Sequence, residues 1–226
     1  MPPILHHRIV ELRQYTLHPG QRDTLIALFE REFVEAQEAV GIAVLGQFRD
    51  LDDPDRFVWL RGFASMAQRA PALAAFYDGP VWRAHREAAN ATMVDSDNVL
   101  LLRPACDTPL PTGAGRRDPN AAASASVVAV VSALPAAADA ASVGALDAAL
   151  APAIAQARGR SAACLVTEAA ANNFPRLPVR EGESVIVWLV GFDTPDAGAR
   201  FAADAARLLG APTQVLRLAP TAHSRF

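Results

Sequence analysis

Glu11, Arg13 and Tyr15 occupy alternate positions of the segment Ile9–Leu17, and Phe57, Trp59, Arg61 and Phe63 alternate positions of Phe57–Phe63. In an extended strand such alternation puts each set on one face. One carboxylate, two guanidiniums, a phenol and an indole would then share a surface. Tyr15 could act as an acid, a base or a hydrogen-bond group. Arg13 or Arg61 could clamp an anionic or enolate-like substrate. Glu11, Trp59, Phe63 and Trp82 would bind it, in a site with aromatic walls and few polar groups. The alternative is a Glu–Arg network that satisfies itself inside a core.

Asn172–Glu183 contributes Asn173, Arg176 and Arg180, stiffened by Pro175 and Pro178. It reads as a lid, a subunit contact or a plain surface loop. His85 follows Trp82 by three residues on a helical stretch, where a lone His could ligate haem iron or simply pack. No metal motif accompanies it: His6-His7 is near the terminus, and H-E-x-x-H and paired Cys are absent, so no resident metal is expected. There is no G-x-S-x-G elbow.

Composition narrows the chemistry. The chain has no Lys, which excludes Schiff-base catalysis and a phosphate-loop lysine. Its net charge of −3 offers no basic surface to nucleic acid or anionic lipid. Cys106 and Cys164 form no C-x-x-C pair and read as reduced thiols. No apolar run approaches a membrane span, and the first residues lack signal-peptide features. A cytoplasmic protein, with neither membrane nor nucleic-acid partner, is expected.

The elements that must hold these residues occur twice. Val58-Trp59-Leu60-Arg61-Gly62-Phe63 reappears as Val187-Trp188-Leu189-Val190-Gly191-Phe192, and Asn98–Pro104 has a counterpart in Gln214–Pro220. Around each pair the hydrophobic periodicity predicts β-α-β-β-α-β, the split βαβ pattern of an α+β, ferredoxin-like unit. The predicted division is a first unit at 6–104, a Pro-, Gly- and Ala-rich linker at 105–125 and a second unit at 126–220. Repeat arithmetic puts one insertion in each half, near Gly79–Ala91 and Asn172–Glu183. The charged set is not repeated: Val127–Val131 has no charge, and Val190 stands where Arg61 stands. A site would draw its polar groups from the first half, with the second supplying apolar wall and a lid.

The segment Glu11-Leu12-Arg13-Gln14-Tyr15-Thr16-Leu17-His18-Pro19-Gly20 resembles the opening of the NIPSNAP family. The likeness continues through Val58–Phe63, Phe76–Trp82 and Asn98–Leu101. Residues 172–180 are similar to the second domain of two-domain bacterial members. The resemblance implies a dimeric αβ-barrel fold, from two chains or as an internal pseudo-dimer. On that fold the charged face would be the open one, lining the barrel interior, with the apolar face packed under the helices. Functionally it implies a small organic molecule in the barrel, handled by a cofactor-independent oxygenase- or isomerase-type enzyme or by a binder. A non-catalytic oligomerising module and a haem protein using His85 are the alternatives.

Overall fold

The computed structural model describes residues 7–105, 110, 125–210 and 213–226. The first half runs β1 (Ile9–Leu17), α1 (Arg22–Leu28), a wide π turn (Phe29–Phe33), α2 (Val34–Glu38), β2 (Ala43–Asp50), β3 (Arg56–Phe63), α3 (Met66–Tyr77), α4 (Pro80–Asn90) and β4 (Met93–Pro104). The second runs β5 (Ser126–Leu134), α5 (Ala140–Gln156), β6 (Arg160–Thr167), β7 (Ser184–Phe192), α6 (Pro195–Leu209) and β8 (Thr213–Pro220). The insertion expected near Gly79–Ala91 is α4, which the second half lacks. Most of the expected linker, with Cys106, lies outside the described residues, as does His6.

Local chemistry sets the helix starts. The side chains of Ser65 and Thr194 accept from the backbone N–H of Gln68 and Ala197, capping α3 and α6 at equivalent places. Pro80 and Pro195 open α4 and α6, where a missing N–H costs no hydrogen bond. Asp139 and Ser142 form a reciprocal capping box on α5.

The eight strands close into one barrel in the order β1-β3-β2-β8-β5-β7-β6-β4. The halves meet at two short antiparallel seams, β2 with β8 and β4 with β6. These seams are equivalent under the repeat, so the barrel is an internal pseudo-dimer closed within one chain. Closure pairs the edges that a lone four-stranded sheet would expose.

The barrel interior reverses the expected orientation of the faces. Its core draws Val10 and Leu12, Val58 and Leu60, Leu100 and Leu102, Val127 and Ala129, Val187 and Leu189, and Leu216 and Leu218 from strands of both halves. Among the described residues no helical one belongs to it. Glu11, Arg13, Tyr15, Trp59, Arg61 and Phe63 point the other way, under the helices of the first half. The physical reason is that the interior is shared by two sheets and must be apolar from both. A guanidinium there would face the other sheet's Val and Leu residues with no partner. One polar pair is placed inside by the same alternation: Gln14 and Gln214 exchange two amide hydrogen bonds of 3.1 and 3.0 Å.

Two segments outside the expected units complete this core. Leu110, from the expected linker, is buried in it. The tail beyond β8 continues along β2, where Ser224 Oγ accepts from Gln47 N–H, and Phe226 packs edge-on against Phe48 at 5.4 Å. Gly46 leaves the space for that ring, since a Cβ there would lie 2.8 Å from Phe226.

Candidate functional site

Four fully buried charges meet under the helices of the first half. Glu11 on β1 lies directly opposite Arg61 on β3. Arg13 is one pleat further along β1, and Arg69 comes down from α3 on the apolar stripe it shares with Leu73 and Phe76. Glu11 Oε2 accepts from Arg13 Nη1 at 2.6 Å and from Arg61 Nε at 2.8 Å. Glu11 Oε1 accepts from Arg69 Nε at 2.7 Å. The Nη2 atoms of Arg61 and Arg69 also lie 2.7 Å from the same carboxylate. Three guanidiniums thus share one carboxylate.

Burial alone pushes the Glu11 carboxyl up. The charges of Arg61, Arg13 and Arg69 and the hydrogen bond from Arg13 outweigh it, lowering the group from 4.5 to about 2. Burial likewise opposes the charge on Arg13, but Tyr15, Glu11 and Tyr77 more than offset it and the net shift is upward. For Arg69 burial wins and the shift is downward. The Glu11 value lies below that of an unfolded carboxylate. Its stabilisation is therefore complete above about pH 4.5 and is lost as pH falls toward 2. The full span corresponds to about 3 kcal/mol. Urea midpoints should fall across that window, and Glu11→Gln should flatten this part of the profile. Constant midpoints from about pH 5 to 2 would remove Glu11 from this role.

The arginines carry the cluster's polarity outward to two phenols. Arg13 Nε donates to Tyr15 Oη at 3.0 Å, and Arg61 Nη1 donates to Tyr77 Oη at 3.3 Å. Both phenols line an apolar cleft of about 30 Å³ between the sheet and the helices. Its walls are Leu25, Phe29, Phe33, Trp59, Phe76, Trp82, Ala89 and Met93, with Gln37 at one side. The π turn holds the sequence offset between Phe29 and Phe33 at four residues while widening the backbone. Both rings reach the cleft and pack edge-on, 6.1 Å apart. Such a turn is a frequent companion of functional sites.

Several polar atoms here have no partner among the described residues. Trp59 Nε1 and Gln37 Oε1 are buried without a hydrogen bond, as are both amide atoms of Gln47, which faces Trp59 across the β2–β3 ladder. Each phenol oxygen accepts from an arginine, while its own O–H has no acceptor among the described residues. Unpaired buried donors are costly in a finished core. In a ligand site they are the groups left for the ligand.

The second half covers this cluster. Arg69 Nη1 donates to Asn172 Oδ1 and Asn173 Oδ1, both at 2.9 Å. Asn173 Nδ2 donates to the Met66 carbonyl at 2.6 Å, and the Phe174 ring stacks on Tyr77 at 6.2 Å and 28°. The loop expected as a lid thus sits over the α3 side of the first half and not over the barrel.

The structure brings Glu11, Arg13, Tyr15, Trp59, Arg61, Phe63, Trp82 and Asn173 to one region. Phe63 lies beneath the guanidiniums of Arg61 and Arg69, at 5.6 and 5.9 Å from its ring centre. Three expected residues are elsewhere. Arg176 pairs with Asp78 at the surface, and Arg180 pairs with Glu183 and Asn98. Each is drawn off by an acidic or amide partner close to its own loop. His85 does not line the cleft; its Nε2 is 3.4 Å from Glu32 Oε2. No group of three or more His, Cys, Asp or Glu suited to a metal exists among the described residues.

Arg69, Tyr77, Phe29, Phe33 and Gln37 were not singled out in the sequence. Arg69 had a readable signal, an Arg four and seven residues before Leu73 and Phe76 on an otherwise apolar helix face. Tyr77 had none, because its role depends on Arg61 and on the loop from the other half.

Comparison with known proteins agrees with this architecture. Residues 10–109 match the NIPSNAP family model. No curated protein matches the chain. An uncharacterised NIPSNAP-like domain protein from Burkholderia xenovorans is 29% identical, covering 46% of this chain and 90% of its own, with a TM-score of 0.42. Two structures described as candidate monooxygenases align with nearly the whole chain. That from Lactobacillus acidophilus is 12% identical, covers 95% of this chain and 94% of its own, and has a TM-score of 0.52. That from Fusobacterium nucleatum is 8% identical, covers 95% and 93%, and has a TM-score of 0.54. At these identities the likeness concerns the tandem ferredoxin-like fold alone.

Proposed function

We propose, from the premise that the first half of this chain is a NIPSNAP domain, that this half binds a small organic molecule between its sheet and its helices. The ligand is one apolar ring bearing a carbonyl or hydroxyl oxygen. The cleft of about 30 Å³ holds one water-sized group as it stands, so the ring enters by parting Phe29, Phe33 and Trp82 from Trp59, and its oxygen then accepts from the O–H groups of Tyr15 and Tyr77. The observation that carries the reading is this pair of phenols, each accepting from a buried guanidinium and each lining an apolar cleft, with its own O–H left without an acceptor among the described residues. Donors held in advance in a dry site stabilise charge that develops on oxygen, with no cofactor needed for that step. The lining includes no carboxylate and no imidazole. The protein therefore polarises the ligand's oxygen and supplies no strong base, which suits an oxygenase or isomerase acting on a substrate that is already activated.

The second half takes no part in the chemistry on this reading. Its equivalent positions are Val128, Val130 and Val190, and Gly198 stands where Arg69 would be. A Cβ at Gly198 would lie 2.6 Å from Ser126 Oγ, so α6 sits too close to the sheet to admit an arginine. This half closes the barrel and supplies the cover over Arg69.

Saturation-transfer NMR with acetophenone, a neutral ring with one carbonyl, tests the site. Binding is expected, weakened about 5- to 10-fold in Tyr15→Phe and in Tyr77→Phe, as for loss of one hydrogen bond. Trp188→Phe, at the matching place in the second half, should leave it unchanged. Parental affinity in both phenol variants, or sensitivity only to Trp188→Phe, would overturn the assignment.

A further inference from the structure

The charge balance of the cluster bears on the ionisation state of the ligand. Arg13, Arg61 and Arg69 are buried with Glu11 as their one carboxylate partner among the described residues. Arginine does not shed its proton under protein conditions, so the surplus of positive charge cannot be relieved from within. The faces of Tyr15, Trp59, Phe63 and Tyr77 soften it, with guanidinium carbons 5.2 to 5.9 Å from the ring centres. Rings do not neutralise it. The Tyr15 phenol does not ionise in compensation, because burial holds its titration above the ordinary range against the pull of Arg13.

Two of the three guanidiniums reach the cleft, Arg13 through Tyr15 Oη and Arg61 through Tyr77 Oη. Arg13 also donates from Nη2 to the Ser96 carbonyl at 3.5 Å, a neutral group. Arg69 is closed off by Asn172 and Asn173, which are neutral. On the outer side of the helices Glu32 meets Arg31 and His85, and Asp78 meets Arg176. We infer that the cleft holds its ligand as an oxyanion, a phenolate, enolate or carboxylate whose charged oxygen accepts from Tyr15 and Tyr77. This rests on the ligand site proposed above. The arginines act through the phenols as positioning residues and do not touch the ligand. On binding an acidic hydroxyl compound, the O–H bond of the ligand breaks heterolytically. The electron pair stays on its oxygen and the proton leaves to solvent, so no co-reactant is required.

4-Nitrophenol tests this directly, because its phenolate absorbs where the neutral form does not. Titrated with pH in the presence of the full-length protein, the bound dye is expected to ionise at least one unit below the free dye. That is about 10-fold or more tighter binding of the anion than of the neutral form. Tyr77→Phe, which removes one donor at a half-buried position, should shrink the shift, and its circular dichroism reports that the fold is intact. If the dye binds with its ionisation unmoved or raised, the oxyanion inference is overturned and the ligand site stands. The same holds if acetophenone binds and the dye does not. If neither binds, the site itself is wrong and this inference falls with it.

Discussion

Glu11→Gln is expected to destabilise the protein by about 3–5 kcal/mol, the cost of removing one member of a buried ion pair. A domain's whole stability is about 5–15 kcal/mol, so the variant should unfold at markedly lower urea or be recovered largely insoluble. The reason is geometric. Glu11 is the single carboxylate for Arg13, Arg61 and Arg69, with oxygen contacts of 2.6 to 2.8 Å to all three. A glutamine keeps the shape and loses the charge, leaving three buried cations facing one another. Equilibrium urea unfolding at neutral pH reads the effect, and a loss below about 1 kcal/mol would show that the cluster is far better solvated than its burial implies.

Replacing the whole cluster should have the opposite outcome. The combined variant Glu11→Leu, Arg13→Met, Arg61→Met and Arg69→Met is expected to fold with a stability within about 1 kcal/mol of the parent, or above it. The second half is the precedent: Val128, Val130 and Val190 occupy the same ladder positions and are fully buried. Acetophenone and 4-nitrophenol should no longer bind, because nothing remains to orient the phenols. Urea unfolding and saturation-transfer NMR on the same sample separate the two effects. If the fourfold variant is as unstable as Glu11→Gln, the cluster is a structural necessity of this half. If it still binds both probes, the arginines have no part in the site.

The contrast between these variants bears on why the charges persist. A duplicated fold offers a direct comparison, since one copy does without them. Their presence in the first half alone, beside the two phenols and the covering loop, is consistent with the ligand site proposed above. The acid sensitivity expected of this half follows from the lowered Glu11 carboxyl.

The elements and their order could be read from sequence, because the two copies repeat the same strand phrases and the same capping positions. Three of the four buried charges could be read as well: alternation in Ile9–Leu17 and Phe57–Phe63 groups Glu11, Arg13 and Arg61 with Tyr15 and Trp59, while Arg69, on α3, lies outside that pattern. Alternation does not say which face is inside. The comparison between copies does. Val10 and Val127, Leu12 and Ala129, and Leu60 and Leu189 stay apolar in both, as a core shared by both sheets requires. The face that differs between copies packs against each half's own helices and is free to diverge. Arg61 against Val190 therefore marked the helix side and not the barrel. Tyr77 and the landing of Asn172, Asn173 and Phe174 on α3 depend on contacts between halves that no local pattern encodes.

The crystal structure of the protein soaked with 4-nitrophenol tests the account most directly. The ring should lie between the sheet and the helices of the first half, against Trp59, Phe29 and Trp82, with its oxygen within hydrogen-bond reach of Tyr15 Oη and Tyr77 Oη. Density for the ring inside the barrel among Leu12, Leu60 and Leu189, or beneath α6 in the second half, would contradict it.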